Sequence, residues 1–170
     1  LAAVLSARLA AAATIVINAG DVYFDPPSVN ASVGDILEFH FLPHNHSVVM
    51  GDLTSPCQPA TSGGFYSGFL TALDGENAQV FQVTVNDTNP MVYYCSQNAS
   101  NHNHCQDGMV GFVNQPDATI MAAYNASATN SSINISPDGG VFGGVLLANP
   151  SANSTSSNAT STTTSTTTAT

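Results

Sequence analysis

The sequence predicts an all-β protein, a β-sandwich followed by a disordered tail, on three observations. Short apolar runs alternate with polar residues at period two, turn residues separate them, and no stretch carries a convincing long helical pattern. The alternation is cleanest in residues 36–42 (ILEFHFL), where Leu37, Phe39 and Phe41 share one face and Ile36, Glu38 and His40 the other. His40 is therefore expected on the solvated face of its strand.

The elements follow in order. Residues 14–18 (TIVIN) are β-branched and strand-like, whereas Pro26 and Pro27 make residues 22–27 an edge or a turn. Val33-Gly34-Asp35 turns the chain into the strand of residues 36–42, and Pro43 closes it. Val48-Val49-Met50 opens another strand after a histidine-bearing loop, and residues 52–68 form a loop-rich connection holding Cys57. Residues 78–86 alternate again with Phe81, Val83 and Val85 toward the core. After a turn at 86–90, residues 91–95 and 109–114 are the last clear strands. Residues 121–126 read equally as a helical turn or an extra strand, and residues 133–147, with Pro137-Asp138-Gly139-Gly140, as a loose hairpin. From Asn149 the composition falls to Ser, Thr, Asn and Ala, which cannot bury enough apolar surface to offset its ordering entropy. This stretch is expected to be a disordered, O-glycosylated stalk. The expected organisation is a secretory-leader remnant at 1–13, a domain at 14–116, an extension at 117–148 and the tail at 149–170.

Composition narrows the function. Charged residues make up 7% of the 170, against a usual quarter, and the formal charge is −10 with Arg8 the single cation. No basic patch can be built, so nucleic acid and anionic membrane surfaces are excluded as electrostatic partners. A partner chosen by charge should be basic or reached through a cation. No run in the supplied chain is long enough to span a bilayer. Nine Asn-x-Ser/Thr sequons, at Asn30, Asn45, Asn86, Asn98, Asn125, Asn130, Asn134, Asn153 and Asn158, suit a secreted, glycosylated surface. A glycan on Asn45 would conflict with a site at His46.

The chemistry concentrates in residues 91–113, MVYYCSQNASNHNHCQDGMVGFV. A strand-like run ends in Cys95, a polar loop carries His102 and His104, Cys105 follows, and Gly108-Met109 leads into a second apolar run. Thiolate, imidazole and thioether at these offsets are the ligand types of a mononuclear blue-copper centre, and His46 in HNHSVV can supply a second imidazole from upstream. Such a donor set suits both Cu(I) and Cu(II), and a loop held between two strands delivers three of the four ligands. Three cysteines leave one over. If Cys95 is the thiolate, Cys57 and Cys105 remain to pair, closing a loop of roughly 49 residues and contributing about 4 kcal/mol. If Cys95 instead pairs with Cys57 or Cys105, no metal thiolate is left.

The pattern HNHSVV…SPC…YYC…HC…GM resembles the cupredoxins, and within them the phytocyanins and the fungal extracellular, serine/threonine-rich cupredoxin-like proteins. The resemblance covers residues 14–116, while the tail matches in composition alone. It implies a cupredoxin-like Greek-key β-sandwich, one copper bound by His46, Cys95, His104 and Met109, and a disulfide between Cys57 and Cys105. This chain departs from the family in the interval Cys95-x8-His104, about four residues longer than the usual Cys-x4-His, while His104-Cys105-x3-Met109 is intact. His102 competes with His104 but stands two residues off the expected offset from Met109, and His44 competes with His46 but lacks the Asn-His-Ser context.

The expected function is that of an extracellular or cell-surface one-electron carrier, acting as a monomer, with no catalytic residues and an unidentified redox partner, basic if chosen by charge. A structural or adhesive wall glycoprotein that retains the fold, with cell-wall polysaccharide as its contact, is the rival reading. An oxidase or copper-dependent polysaccharide enzyme is disfavoured. Five histidines are too few for a multicopper cluster, and none lies near Ala11–Ala13, where cleavage would expose a new N-terminus.

Overall fold

The computed structural model describes residues 11–99 and 102–152. Most of the expected leader remnant and the tail from residue 153 lie outside the described residues. In chain order the strands are β1 (Thr14–Gly20), β2 (Tyr23–Asp25), β3 (Ser28–Val29), β4 (Ile36–Phe41), β5 (His44–His46), β6 (Val49–Gly51) and β7 (Leu70–Ala72). They continue as β8 (Gln79–Thr84), β9 (Met91–Tyr94), β10 (Asn98–Ala99), β11 (His102–Asn103) and β12 (Val110–Val113). A helix, α1 (Ala118–Thr129), and a last strand, β13 (Val145–Ala148), follow.

Two sheets form the expected sandwich. One runs β13-β8-β4-β1-β2 and the other β3-β12-β9-β6, while β5-β7 and β10-β11 make small ribbons at the site end. The period-two pattern places Ile17, Leu37, Phe39, Phe41, Phe81 and Val83 in the core between the sheets. Tyr93 of β9 stitches the layers: its ring packs edge-on against Phe39 at 5.2 Å and Phe24 at 4.8 Å. Gly111, directly opposite Tyr93 on β12, is required there, because a Cβ would collide with the tyrosine ring.

The chain beyond residue 116 is built onto this sandwich. Asp117 caps α1 by accepting from the Thr119 and Ile120 amides at 2.8 and 3.4 Å, and an alanine-rich run then propagates the helix. Tyr124 and Ala128 cover the outer face of the second sheet, with Tyr124 packed edge-on against Phe112 at 5.7 Å. Residues 121–126, ambiguous by pattern, are thus helical. The loose hairpin expected at 133–147 is corrected: Val145–Ala148 pairs antiparallel with β8, extending the first sheet.

His40 is the second correction. It does lie on the outer face of β4, yet it is 5% exposed. Glu76 bonds its Nδ1 and Glu38 its Nε2, both at 2.8 Å, and Asn149 donates to Glu76 at 2.7 Å. The two carboxylates occupy opposite ring nitrogens, so the group is a charge-paired clasp over the sheet face.

Candidate metal centre

The sandwich brings the ligand-type residues together by strand pairing. Tyr94 of β9 stands opposite both Val110 of β12 and Val49 of β6. Cys95 and Met109 are the next residues out on their strands, and the Cys95 amide donates to the Met109 carbonyl at 3.1 Å. On the other side, the Ser47 amide donates to Cys95 Sγ at 3.3 Å, so His46 at the end of β5 arrives beside the same sulfur. The Met109 amide bonds the His104 carbonyl at 2.7 Å, and the His104 amide bonds the Gln97 carbonyl at 3.1 Å.

The result is one buried group of potential ligand atoms. Donor atoms of His46, Cys95 and His104 lie within 4.8 Å of one another, and Cys95 Sγ is 3.5 Å from His104 Nδ1. The imidazole rings sit 5.1 Å apart. Met109 is fully buried and packs in the same apolar cluster as Cys95. His102 is outside the group: its side chain is 72% exposed and its Nδ1 is 3.6 Å from Asp107. His44 is likewise exposed, with Asp21 3.9 Å away and a φ of +87° that a non-glycine residue rarely adopts. Both line the rim of a concavity of about 360 Å³ that opens onto His104.

Cys57 and Cys105 are joined in a disulfide with Cα atoms 5.8 Å apart, leaving Cys95 as the free and buried thiol. The alternative pairings of Cys95 are thereby excluded. The bond closes a sequence separation of 48, contributes about 4 kcal/mol by chain entropy, and fastens the long connection to the residue after His104.

Whether this donor set fits a copper ion can be judged from His46. Its Nε2 donates to the Pro43 carbonyl at 3.0 Å, which fixes the tautomer and leaves the Nδ1 lone pair free. That Nδ1 is buried and has no hydrogen-bond partner. An orphaned buried acceptor is costly unless something binds it, and it lies in the group containing a thiol and a second imidazole. The residues fit the ion.

The electrostatics agree. Burial pulls His46 below its ordinary value against the opposing bond to Pro43, and it draws His104 down to about 4 with help from His46. Burial raises the Cys95 thiol, opposed by the amides of Ser47 and Gln97. Without metal the site therefore holds neutral imidazoles and a thiol, the form a low-dielectric pocket tolerates.

Sequence reasoning missed Ser47 and Pro43. Ser47 Oγ accepts from the Ser96 amide at 2.9 Å and bonds Ser96 Oγ at 2.9 Å, tying the segments that carry His46 and Cys95 together. The Asn-His-Ser context held the serine in view, but nothing local shows that its amide meets a sulfur 48 residues away.

A sandwich with a buried His₂Cys group at one end defines the cupredoxin class of copper proteins. The chain belongs to the cupredoxin family. It is 32% identical over 141 residues to a probable GPI-anchored cupredoxin of Arthroderma benhamiae, an alignment covering 81% of this chain and 70% of that protein. It is also 33% identical over 120 residues to an extracellular serine-rich protein of the same fungus, covering 69% of this chain and 45% of that longer protein. This chain thus spans less than half of that relative. No family model matches. Among solved structures, auracyanin B is similar with a TM-score of 0.42 and 16% identity, over 63% of this chain and 91% of its own. A purple cupredoxin from Nitrosopumilus maritimus gives 0.43 and 19%, over 59% and 96%. Membership in this family agrees with the ability of His46, Cys95 and His104 to hold a metal ion. Among the described residues no helix is long and apolar enough to cross a membrane.

Proposed function

We propose that this chain is an extracellular or cell-surface electron carrier whose copper would be held by His46, Cys95 and His104, with the Met109 thioether as a fourth donor. The observation that carries the ligand assignment is the orphaned His46 Nδ1 within the buried His-Cys-His group. Copper bound there supplies a one-electron couple. The chain's own residues set its terms. Pro43 fixes the His46 tautomer, the Ser47 amide faces the sulfur, and the strand pairing of Cys95 with Met109 holds two ligands on a rigid ladder. Ligands so constrained move little between oxidation states, which keeps the barrier to electron transfer low.

The extracellular placement is supported by the disulfide, by exposed sequons and by the names of the two fungal relatives. A formal charge of −10 favours a basic redox partner, with the concavity over His104 as the approach to the metal. Copper loading with a visible absorption spectrum tests the ligand set: an intense thiolate-to-copper band and reversible one-electron redox are expected. The rival adhesive role draws on the Ser/Thr-rich tail and expects Cys95→Ala to leave attachment to cell-wall polysaccharide unchanged.

A further inference from the structure

Within the long Cys95–His104 interval Asn98–Ala99 pairs with His102–Asn103 as the β10–β11 ribbon, and a longer loop costs more to order. A segment far downstream meets that cost. The carboxamide of Asn134 reaches under the loop, where Nδ2 donates to Asn103 Oδ1 at 2.6 Å, to the Gln97 carbonyl at 3.1 Å and to the Cys95 carbonyl at 3.4 Å. One side chain thus bridges the stretch leaving Cys95 and the stretch arriving at His104. Its neighbours anchor the same strap: Ser136 Oγ donates to Ser96 Oγ at 2.9 Å, and the Ile135 amide donates to the carbonyl of disulfide-bonded Cys57 at 3.0 Å. Tyr94 donates to the Ile135 carbonyl, and Gln106 to that of Ser131.

We infer that residues 131–136 are a strap that sets the geometry of the metal loop, with Asn134 as its positioning residue. Asn134 hydrogen-bonds no ligand side chain and acts through the backbone at Cys95, at Gln97 and, by way of Gln97, at the His104 amide. The Gln97 carbonyl accepts from both Asn134 and His104, so losing the carboxamide loosens the hydrogen bond that holds the second imidazole in place. Outer-shell partners of metal ligands typically govern affinity by 10–100-fold. The inference rests on the copper reading for its functional consequence but not for its structural one.

The test compares whole-chain wild type with Asn134→Ala, and with Asn134→Ser, which leaves room for a water and guards against loss of folding. In the metal-free protein, amide exchange at His104 should speed up at least tenfold in Asn134→Ala, while exchange at Phe39 in the central sheet changes less than threefold. In the copper-loaded protein, copper dissociation should quicken about tenfold or more and the thiolate-to-copper band should shift. Asn134→Ser should fall between wild type and Asn134→Ala. Equal acceleration at His104 and Phe39 in the variants that fold, or none at either, overturns the strap. Faster His104 exchange with wild type that never takes up copper keeps the strap and sinks the copper reading instead.

Discussion

The backbone amide of Ser47 meets Cys95 Sγ at 3.3 Å, and the Ser47 hydroxyl accepts from the Ser96 amide on the far side of that cysteine. One residue therefore satisfies both the sulfur and the backbone next to it, and it does so from the strand end that presents His46.

Ser47→Ala keeps the amide contact but strands the buried Ser96 amide. An unsatisfied buried donor costs about 1–3 kcal/mol. Urea unfolding of the metal-free chain should show a midpoint lowered accordingly at an unchanged slope.

Copper uptake at pH 7 should release close to one proton, from the Cys95 thiol. Burial holds His46 below its ordinary value and His104 near 4, so on mild acidification the count should rise less than two ordinary imidazoles would make it. Calorimetry in buffers of different ionisation enthalpy measures the count. A rise toward three protons at the acidic end would show that the histidines titrate normally.

The His40 clasp should make stability depend on pH on two sides. Burial alone would lower His40, but its bonds to Glu76 and Glu38 outweigh that and raise it above the usual 6.5. Its contribution is thus present below 6.5 and lost as pH climbs through the raised value. Glu76 is lowered by His40 and Asn149; Glu38, though burial pushes it up, is lowered by His40 and Gln82. Their contribution is present above 4.5 and lost as pH falls through the depressed values. The stability difference between wild type and His40→Ala should therefore peak at about 1–3 kcal/mol between these two limits and shrink on either side.

Glycan mapping should separate the sequons by what their Nδ2 atoms already do. Asn30, Asn86, Asn98 and Asn125 are exposed, and Asn130 holds its Nδ2 only in an exposed bond to the Ala126 carbonyl at 2.7 Å. Asn45 Nδ2 donates to Gln97 at 2.9 Å, and Asn134 Nδ2 serves the strap. Peptide mass spectrometry of secreted protein should find Asn45 and Asn134 unmodified, which also removes the conflict between a glycan and His46.

The parts legible in the sequence were those encoded locally. Alternation in residues 36–42 and 78–86 placed Phe39 and Phe81 in the core, and donor chemistry at strand ends marked Cys95, His104 and His46. The parts that were not legible depend on distant partners. Helix α1 buries little more than Tyr124 and Ala128, so its apolar stripe is too thin to show a period. β13 finds its edge only once β8 is in place. His40 looked solvated because Glu76 and Asn149, which cover it, lie far along the chain. Asn134 looked like one more sequon for the same reason.

Copper stoichiometry with a visible spectrum, on wild type and Cys95→Ser, tests the metal centre most directly. The account predicts one copper per chain and an intense thiolate-to-copper band that disappears in Cys95→Ser. A chain that binds no copper, or a band indifferent to the loss of that sulfur, would contradict it.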